Sequence, residues 1–101
     1  MLGRPRILVL GDAVAPTGYS RVVHAVFTRL AEHYEVYQMA TNYRGSSHDW
    51  PWKLFPADVT LNSFGAEQVV PLATSLEPHL VFAFHDLWVL ADYMKALRQV
   101  A

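Results

Sequence analysis

Apolar and polar positions alternate along this chain in blocks. Residues Arg6 to Leu10 (RILVL) form a short, nearly continuous apolar run closed by Gly11, the pattern of a strand buried on both faces of a parallel sheet. After a turn of small and hydroxylated residues, Val22, Val23, Val26, Phe27, Leu30 and Ala31 recur at intervals of three and four. Arg21, His24, Thr28, Arg29 and Glu32 fall on the other side, so the spacing predicts an amphipathic helix over about residues 19–33. Glu35 to Ala40 (EVYQMA) alternates and reads as a second strand, more exposed than the first. His79 to Phe84 (HLVFAF) is apolar almost throughout and follows Pro78, which ends any helix before it; this strand is expected at the sheet centre.

Between these blocks the pattern is weaker. It suggests a strand around Asp58 to Leu61 and a helix starting near Gly65, which must kink at Pro71 or begin late. Leu87 to Gln99 closes the chain as a helix with Leu87, Leu90, Ala91, Met94 and Leu97 on one face. One long connection, residues 41–57, carries Tyr43, Trp50, Trp52 and Phe55 among glycine, serine and proline; a loop of that length is usually functional or mobile, and its aromatics more often cover core than stack on a ligand. Strand and helix alternate, so the fold class is α/β: a Rossmann-like, mostly parallel sheet with helices on both faces and right-handed crossovers.

Composition narrows the functions. A chain of 101 residues is the length of one domain, and a hydrophobic fraction of 52% against 17% charged residues excludes disorder and implies that part of the exterior is meant to be covered. The net charge of −1 offers no general attraction to nucleic acid or acidic membranes, so no nucleic-acid partner is expected and any anion site must be local. With no cysteine, thiolate nucleophiles, thiolate metal sites and disulfides are excluded. Arg4 and Arg6 before an apolar run imitate a secretory leader, but four apolar residues are too few, and no segment approaches a membrane span; the expectation is a soluble, cytoplasmic chain.

Two places can carry chemistry. Open α/β sheets bind ligands beyond the carboxyl ends of their strands, where strand order reverses. The turn GDAVAPTGYSRVV, residues 11–23, lies there: Gly18 lets backbone approach a ligand, Tyr19 and Ser20 follow at the start of a helix whose free N–H groups suit a phosphate, and Thr17 or Ser20 is a candidate cap. Arg21 opposes the helix dipole unless an anion, a ligand or Asp12, sits with it. The turn lacks both the P-loop Gly-Lys-Ser/Thr and the G-x-G-x-x-G fingerprint, and a plain capped turn weighs equally with a phosphate site. The second place is His85-Asp86, directly after the expected central strand and so on the same rim. His85 is suited to donate to a substrate hydroxyl, a phosphate or a developing charge, with Asp86 orienting it or capping the last helix. His24, His33, His48 and His79 have no metal-ligand spacing, and no metal is expected.

The segment ILVLGDAVAPTGYSRVVHAVFTRLAEHYEVYQMA resembles the opening of GT-B type glycosyltransferases, nearest the retaining group that includes glycogen synthase and many mannosyl- and glucosyltransferases. EPHLVFAFHDLWVL resembles that family's strand with a terminal histidine. The resemblance implies an amino-terminal, acceptor-side Rossmann-like domain of which these residues are part, and a carboxy-terminal donor-binding domain outside them. It implies transfer of a sugar from a nucleotide-sugar to a sugar, lipid or protein acceptor, without a further cofactor and with peripheral membrane association compatible with such an acceptor. By position, Gly18 would approach the donor diphosphate and His85 would stand beside the transferred sugar as the catalytic residue; Tyr19 occupies the place of the family's second glycine. Such a portion alone is expected to be inactive, because the transition state needs both walls of the cleft. A flavodoxin-like flavin- or phosphate-binding domain, suggested by Pro16 to Ser20, and a ligand-free α/β interaction domain stand as alternatives.

Overall fold

A computed structural model describes residues 4–12, 18–41, 51–56 and 66–100. The elements run β1 (Arg6–Asp12), α1 (Gly18–Leu30), β2 (Glu35–Thr41), β3 (Lys53–Pro56), α2 (Ala66–Leu76), β4 (Leu80–Phe84) and α3 (Leu87–Leu97). The described strands form one sheet in the order β3-β2-β1-β4, and every pairing is parallel. This is the α/β, Rossmann-like architecture with helices on both faces.

Period-two alternation inside the apolar strands divides the core in two. Ile7 and Val9 of β1, Val36 and Ala40 of β2 and Leu54 of β3 join Val23 and Phe27 of α1 on one face. Leu8 and Leu10 of β1 and Met39 of β2 meet Val69 and Ala73 of α2 and Val89, Tyr93 and Ala96 of α3 on the other. A strand serving two cores has no polar face, which is why β1 reads as continuous apolar sequence.

Arg4 and Arg6, the pair that mimics a leader, cap helices. Arg4 Nη1 donates to the Ala31 carbonyl at 3.1 Å, just past α1, and Arg6 donates to the Leu76 and Glu77 carbonyls at the end of α2 at 2.7 and 3.2 Å. The Arg6 backbone N–H donates to Nδ1 of His79 at 3.0 Å, and the His79 N–H returns a bond to the Arg6 carbonyl at 2.8 Å. Glu77 has φ of 48°, the left-handed conformation that lets α2 end and the chain turn into Pro78.

Several expectations change. The strand at residues 80–84 is an edge strand of the described sheet, flanked only by β1, and its residues are at most half-buried. The connection 41–57 contains β3, and Trp52 before it is buried in the α1-side core. β2 is slightly more exposed than β1, as expected, yet lies inside the sheet. α2 runs from Ala66 through the exposed Pro71, forfeiting the one bond that ring cannot donate. α3 buries Val89, Tyr93 and Ala96, whereas Leu87 and Met94 of the predicted face are exposed. The suggested strand at 58–61, Tyr43 and Trp50 lie outside the described residues.

Candidate functional site

In a parallel sheet all strands end on the same side, so the rim is set by topology. Chain order runs outward from β1 to β2 and β3, then returns to place β4 on the other flank of β1. The reversal therefore falls between β1 and β4, and the crevice outside their carboxyl ends is the position where open α/β sheets take ligands. Gly11 pairs with Phe84 in this register, which puts His85 one residue beyond the pair on one strand and Asp12 one residue beyond it on the other. α1 starts at Gly18 on this rim and α3 at Leu87.

The β1–β4 approach is close. A Cβ on Gly11 would stand 2.9 Å from the Phe84 carbonyl oxygen, nearer than side chains tolerate against backbone. Glycine at the end of β1 thus sets the spacing of the two strands that carry the rim.

His85 is half-buried, and its ring lies edge-on to Tyr93 of α3, with centroids 6.4 Å apart and planes at 83°. Its Nδ1 accepts the Asp86 backbone N–H at 2.9 Å. An accepting Nδ1 in a neutral ring places the proton on Nε2, so His85 offers a hydrogen-bond donor there. Asp86 orients the histidine through its main chain. It occupies the N-cap position of α3, where its carbonyl accepts the Val89 and Leu90 N–H groups at 3.0 Å each, and its carboxylate makes no capping bond. Tyr93 is fully buried, and burial, reinforced by the negative charge of Glu67, pushes its hydroxyl pKa well up from the ordinary tyrosine value. The ring that backs His85 is therefore a neutral, fixed wall.

On the α1 side, the first turn holds no acidic residue, and Arg21 is exposed. Gly18, Tyr19 and Ser20 form the first residues of the helix; the side chains of Asp12, Tyr19 and Ser20, and the whole of Thr17, lie outside the described set. Of the other described histidines, His79 binds Arg6, and His24 contacts Thr28 and the ring of Trp52. Among the described residues no three His, Asp or Glu side chains are grouped to hold a metal, and no helix is long and apolar enough to cross a membrane.

Beneath the rim lies a polar connection that the pattern of EVYQMA conceals. Gln38, fully buried on the α1 face of β2, donates from Nε2 to the Gly11 carbonyl at 3.0 Å and accepts the Trp52 indole N–H on Oε1 at 2.8 Å. It ties the end of β1 to β2 and to the entry of β3. Its only sequence signal is an amide between Val36 and Ala40 on a face that is otherwise apolar. A cavity of about 640 Å³ between α2, the start of β4 and the end of α3, lined by Ala73, Thr74, Glu77, Val81 and Leu97, opens at the opposite, amino-terminal edge. By the carboxyl-edge rule it is the less favoured ligand site.

The structure thus brings the start of α1, with Arg21, and His85 to one edge of the sheet at its switch point. No protein-family model, curated protein or solved structure matches this chain.

Proposed function

We propose that the chain is the acceptor-side, amino-terminal Rossmann-like portion of a nucleotide-sugar-dependent glycosyltransferase of GT-B type. The observation that carries this reading is that the start of α1 at Gly18 and His85, just past the end of β4, lie on the carboxyl edge of the described sheet, where β1 and β4 form its switch point. In the reaction, the bond from the anomeric carbon to the diphosphate oxygen breaks, a bond to an acceptor hydroxyl oxygen forms, and the hydroxyl proton is taken up by the departing diphosphate or by water. The N–H groups at the start of α1 and Arg21 suit the diphosphate leaving group. His85, with its proton on Nε2, serves as a donor to a sugar hydroxyl or to developing negative charge, rather than as a base. Gly18, Tyr19, Ser20, Arg21 and Asp12 form the donor-phosphate side of the site, and Asp86 holds His85.

The order of the described strands supports this reading over a flavodoxin-like domain, because in the flavodoxin order the third strand pairs with the first, whereas the third described strand here pairs with β2. The exposed Leu87, Trp88 and Met94 on α3 are in keeping with a portion that works against further protein.

The test uses the full reading frame, assayed for release of nucleoside diphosphate across a panel of nucleotide-sugars. His85→Ala is expected to lower kcat/KM by about 10²–10³-fold with unchanged thermal unfolding. His85→Gln, which keeps an N–H donor, is expected to recover part of the loss. Wild-type turnover in His85→Ala removes that residue from the site. Absence of diphosphate release with every donor and acceptor tried overturns the enzymatic reading.

A further inference from the structure

The cavity of about 640 Å³ at the amino-terminal edge of the sheet is within the range that takes a small organic ligand. The rule that favours the carboxyl edge concerns strand ends and the turns that follow them. This cavity is made of other parts: the last turns of α2 and α3, and the residues that lead into β4. Its floor is apolar, with Ala73 of α2 buried and Val81 of β4 and Leu97 of α3 half-buried. Its mouth is polar and carries one sign of charge. Among the described residues Glu77 is the only charged side chain that lines it, and Thr74 and Gln99 add a hydroxyl and an amide.

The mouth is also short of donors. A helix directs its last carbonyls along its axis, so those of α2 point toward this edge. The Thr74 carbonyl would accept the N–H of the residue four places on, but that residue is Pro78, which has none. The Glu77 N–H goes to the Ala73 carbonyl at 2.9 Å, and the His79 N–H goes to the Arg6 carbonyl at 2.8 Å. Arg6 satisfies the Leu76 and Glu77 carbonyls and leaves that of Thr74 without a donor among the described residues. The Glu77 carboxylate likewise has no ion-pair partner among them.

Glu77 stands where glycine is the common residue. Its φ of 48° is the left-handed conformation that closes α2, and a side chain there carries backbone strain of the kind that concentrates at binding sites. The chain thus places a carboxylate at a turn that favours a bare hydrogen, and that residue borders the cavity.

A carboxylate, an orphaned carbonyl and a hydroxyl at the entrance to an apolar space suit a ligand that brings donors and positive charge on a hydrocarbon body. An ammonium group has three N–H donors and no acceptor. An anionic ligand is disfavoured by Glu77 and by the negative end of the α2 dipole. We propose that this cavity binds a small organic ammonium ion, its hydrocarbon body on Ala73, Val81 and Leu97 and its N–H groups donating to the Glu77 carboxylate and the Thr74 carbonyl. The site is separate from the carboxyl rim and independent of the reaction assigned there.

Titration calorimetry of the full reading frame with phenethylammonium, phenethyl alcohol and hydrocinnamate decides it, because the three share an apolar body and differ in charge. The ammonium ion is expected to bind about tenfold or more tightly than the alcohol, the worth of a hydrogen bond to a charged group, and the carboxylate not at all. Glu77→Gln, which keeps the size of the side chain, is expected to bring the ammonium ion down to the level of the alcohol and to leave the alcohol unchanged. Thr74→Trp, on an exposed turn of α2, obstructs the mouth and is expected to weaken both. Equal affinity for ammonium and alcohol overturns the proposal, as does an ammonium preference that survives Glu77→Gln. So does the absence of binding by all three at millimolar concentration. The comparison of ligands on the unsubstituted protein needs no variant to fold, and no nucleotide-sugar enters it, so this test and that of the enzymatic reading fail separately.

Discussion

Gln38 carries the most exposed claim about stability. Methionine is close to it in length and shape, so Gln38→Met removes the two hydrogen bonds with little change in packing. The Trp52 indole N–H, buried with the rest of its side chain, loses its Gln38 acceptor. Such an orphaned donor costs about 1–3 kcal/mol, and the lost bond to the Gly11 carbonyl adds about 0.5–1.5 kcal/mol. The sum, about 1.5–4.5 kcal/mol, is a large part of the roughly 5–15 kcal/mol that holds a small domain together. For a chain of this size it lowers the unfolding temperature by roughly 6–36 °C. Urea and thermal unfolding followed by far-ultraviolet circular dichroism measure it directly. Trp52→Phe in the Gln38→Met background removes the stranded N–H, so the double variant should be more stable than the two single losses added together, by about 0.5–3 kcal/mol. If Gln38→Met unfolds within 0.5 kcal/mol of the native chain, a threshold well under the estimate above, or if the two changes simply add, the buried polar connection is not what holds β1, β2 and β3 in register.

Three further outcomes are expected. Gly11→Ala drives a methyl group to 2.9 Å from the Phe84 carbonyl, so β1 and β4 must separate at the rim; a loss of about 1–3 kcal/mol in urea unfolding checks this, and native stability refutes it. The Tyr93 hydroxyl titrates higher in the folded than in the unfolded chain, so the folded form keeps a proton that the unfolded form loses near pH 10, the ordinary tyrosine value. Its contribution is therefore level below that pH and declines above it, and urea midpoints from pH 8 to about 11 should show a fall that Tyr93→Phe reduces. Glu77→Gly relieves a left-handed backbone at φ 48° and should raise stability by up to about 1 kcal/mol, read as a higher unfolding temperature.

The elements were easiest to read where one pattern admits one structure. β1, α1 and β2 lie within a few residues of their predicted bounds because run, helical period and alternation follow one another without interruption. Lys53–Pro56 was hidden because a four-residue strand between prolines carries too few positions to show a period. α3 contains two apolar stripes at helical spacing, and periodicity cannot choose between them; the sheet accepts Val89, Tyr93 and Ala96 and leaves Leu87 and Met94 outside. For β4 the residues reveal a demand for two covered faces, whereas its place in the sheet depends on which strands are present. The rim was legible in outline, since βα turns on a parallel sheet fall on one edge. Asp86 was legible as the residue that orients His85, but not the atom that does it, because a main-chain N–H donates to the ring and any residue at position 86 other than proline supplies one.

The pairing of β1 with β4 also bears on how the molecule is made. The register joins Ile7 to Leu80 and Gly11 to Phe84, so the strand at the middle of the sheet waits for a neighbour encoded some seventy residues downstream. At ribosomal rates of about 5–20 residues per second, that is a delay of roughly 4–14 seconds. During this interval β1, α1 and β2 can assemble as a βαβ unit, but Leu8, Leu10 and Met39 have no helices over them until α2 and α3 are synthesised. The nascent chain therefore spends its first seconds with one greasy side bare, and a holdase that shields it until residue 97 has cleared the exit tunnel would raise the yield of correctly assembled protein.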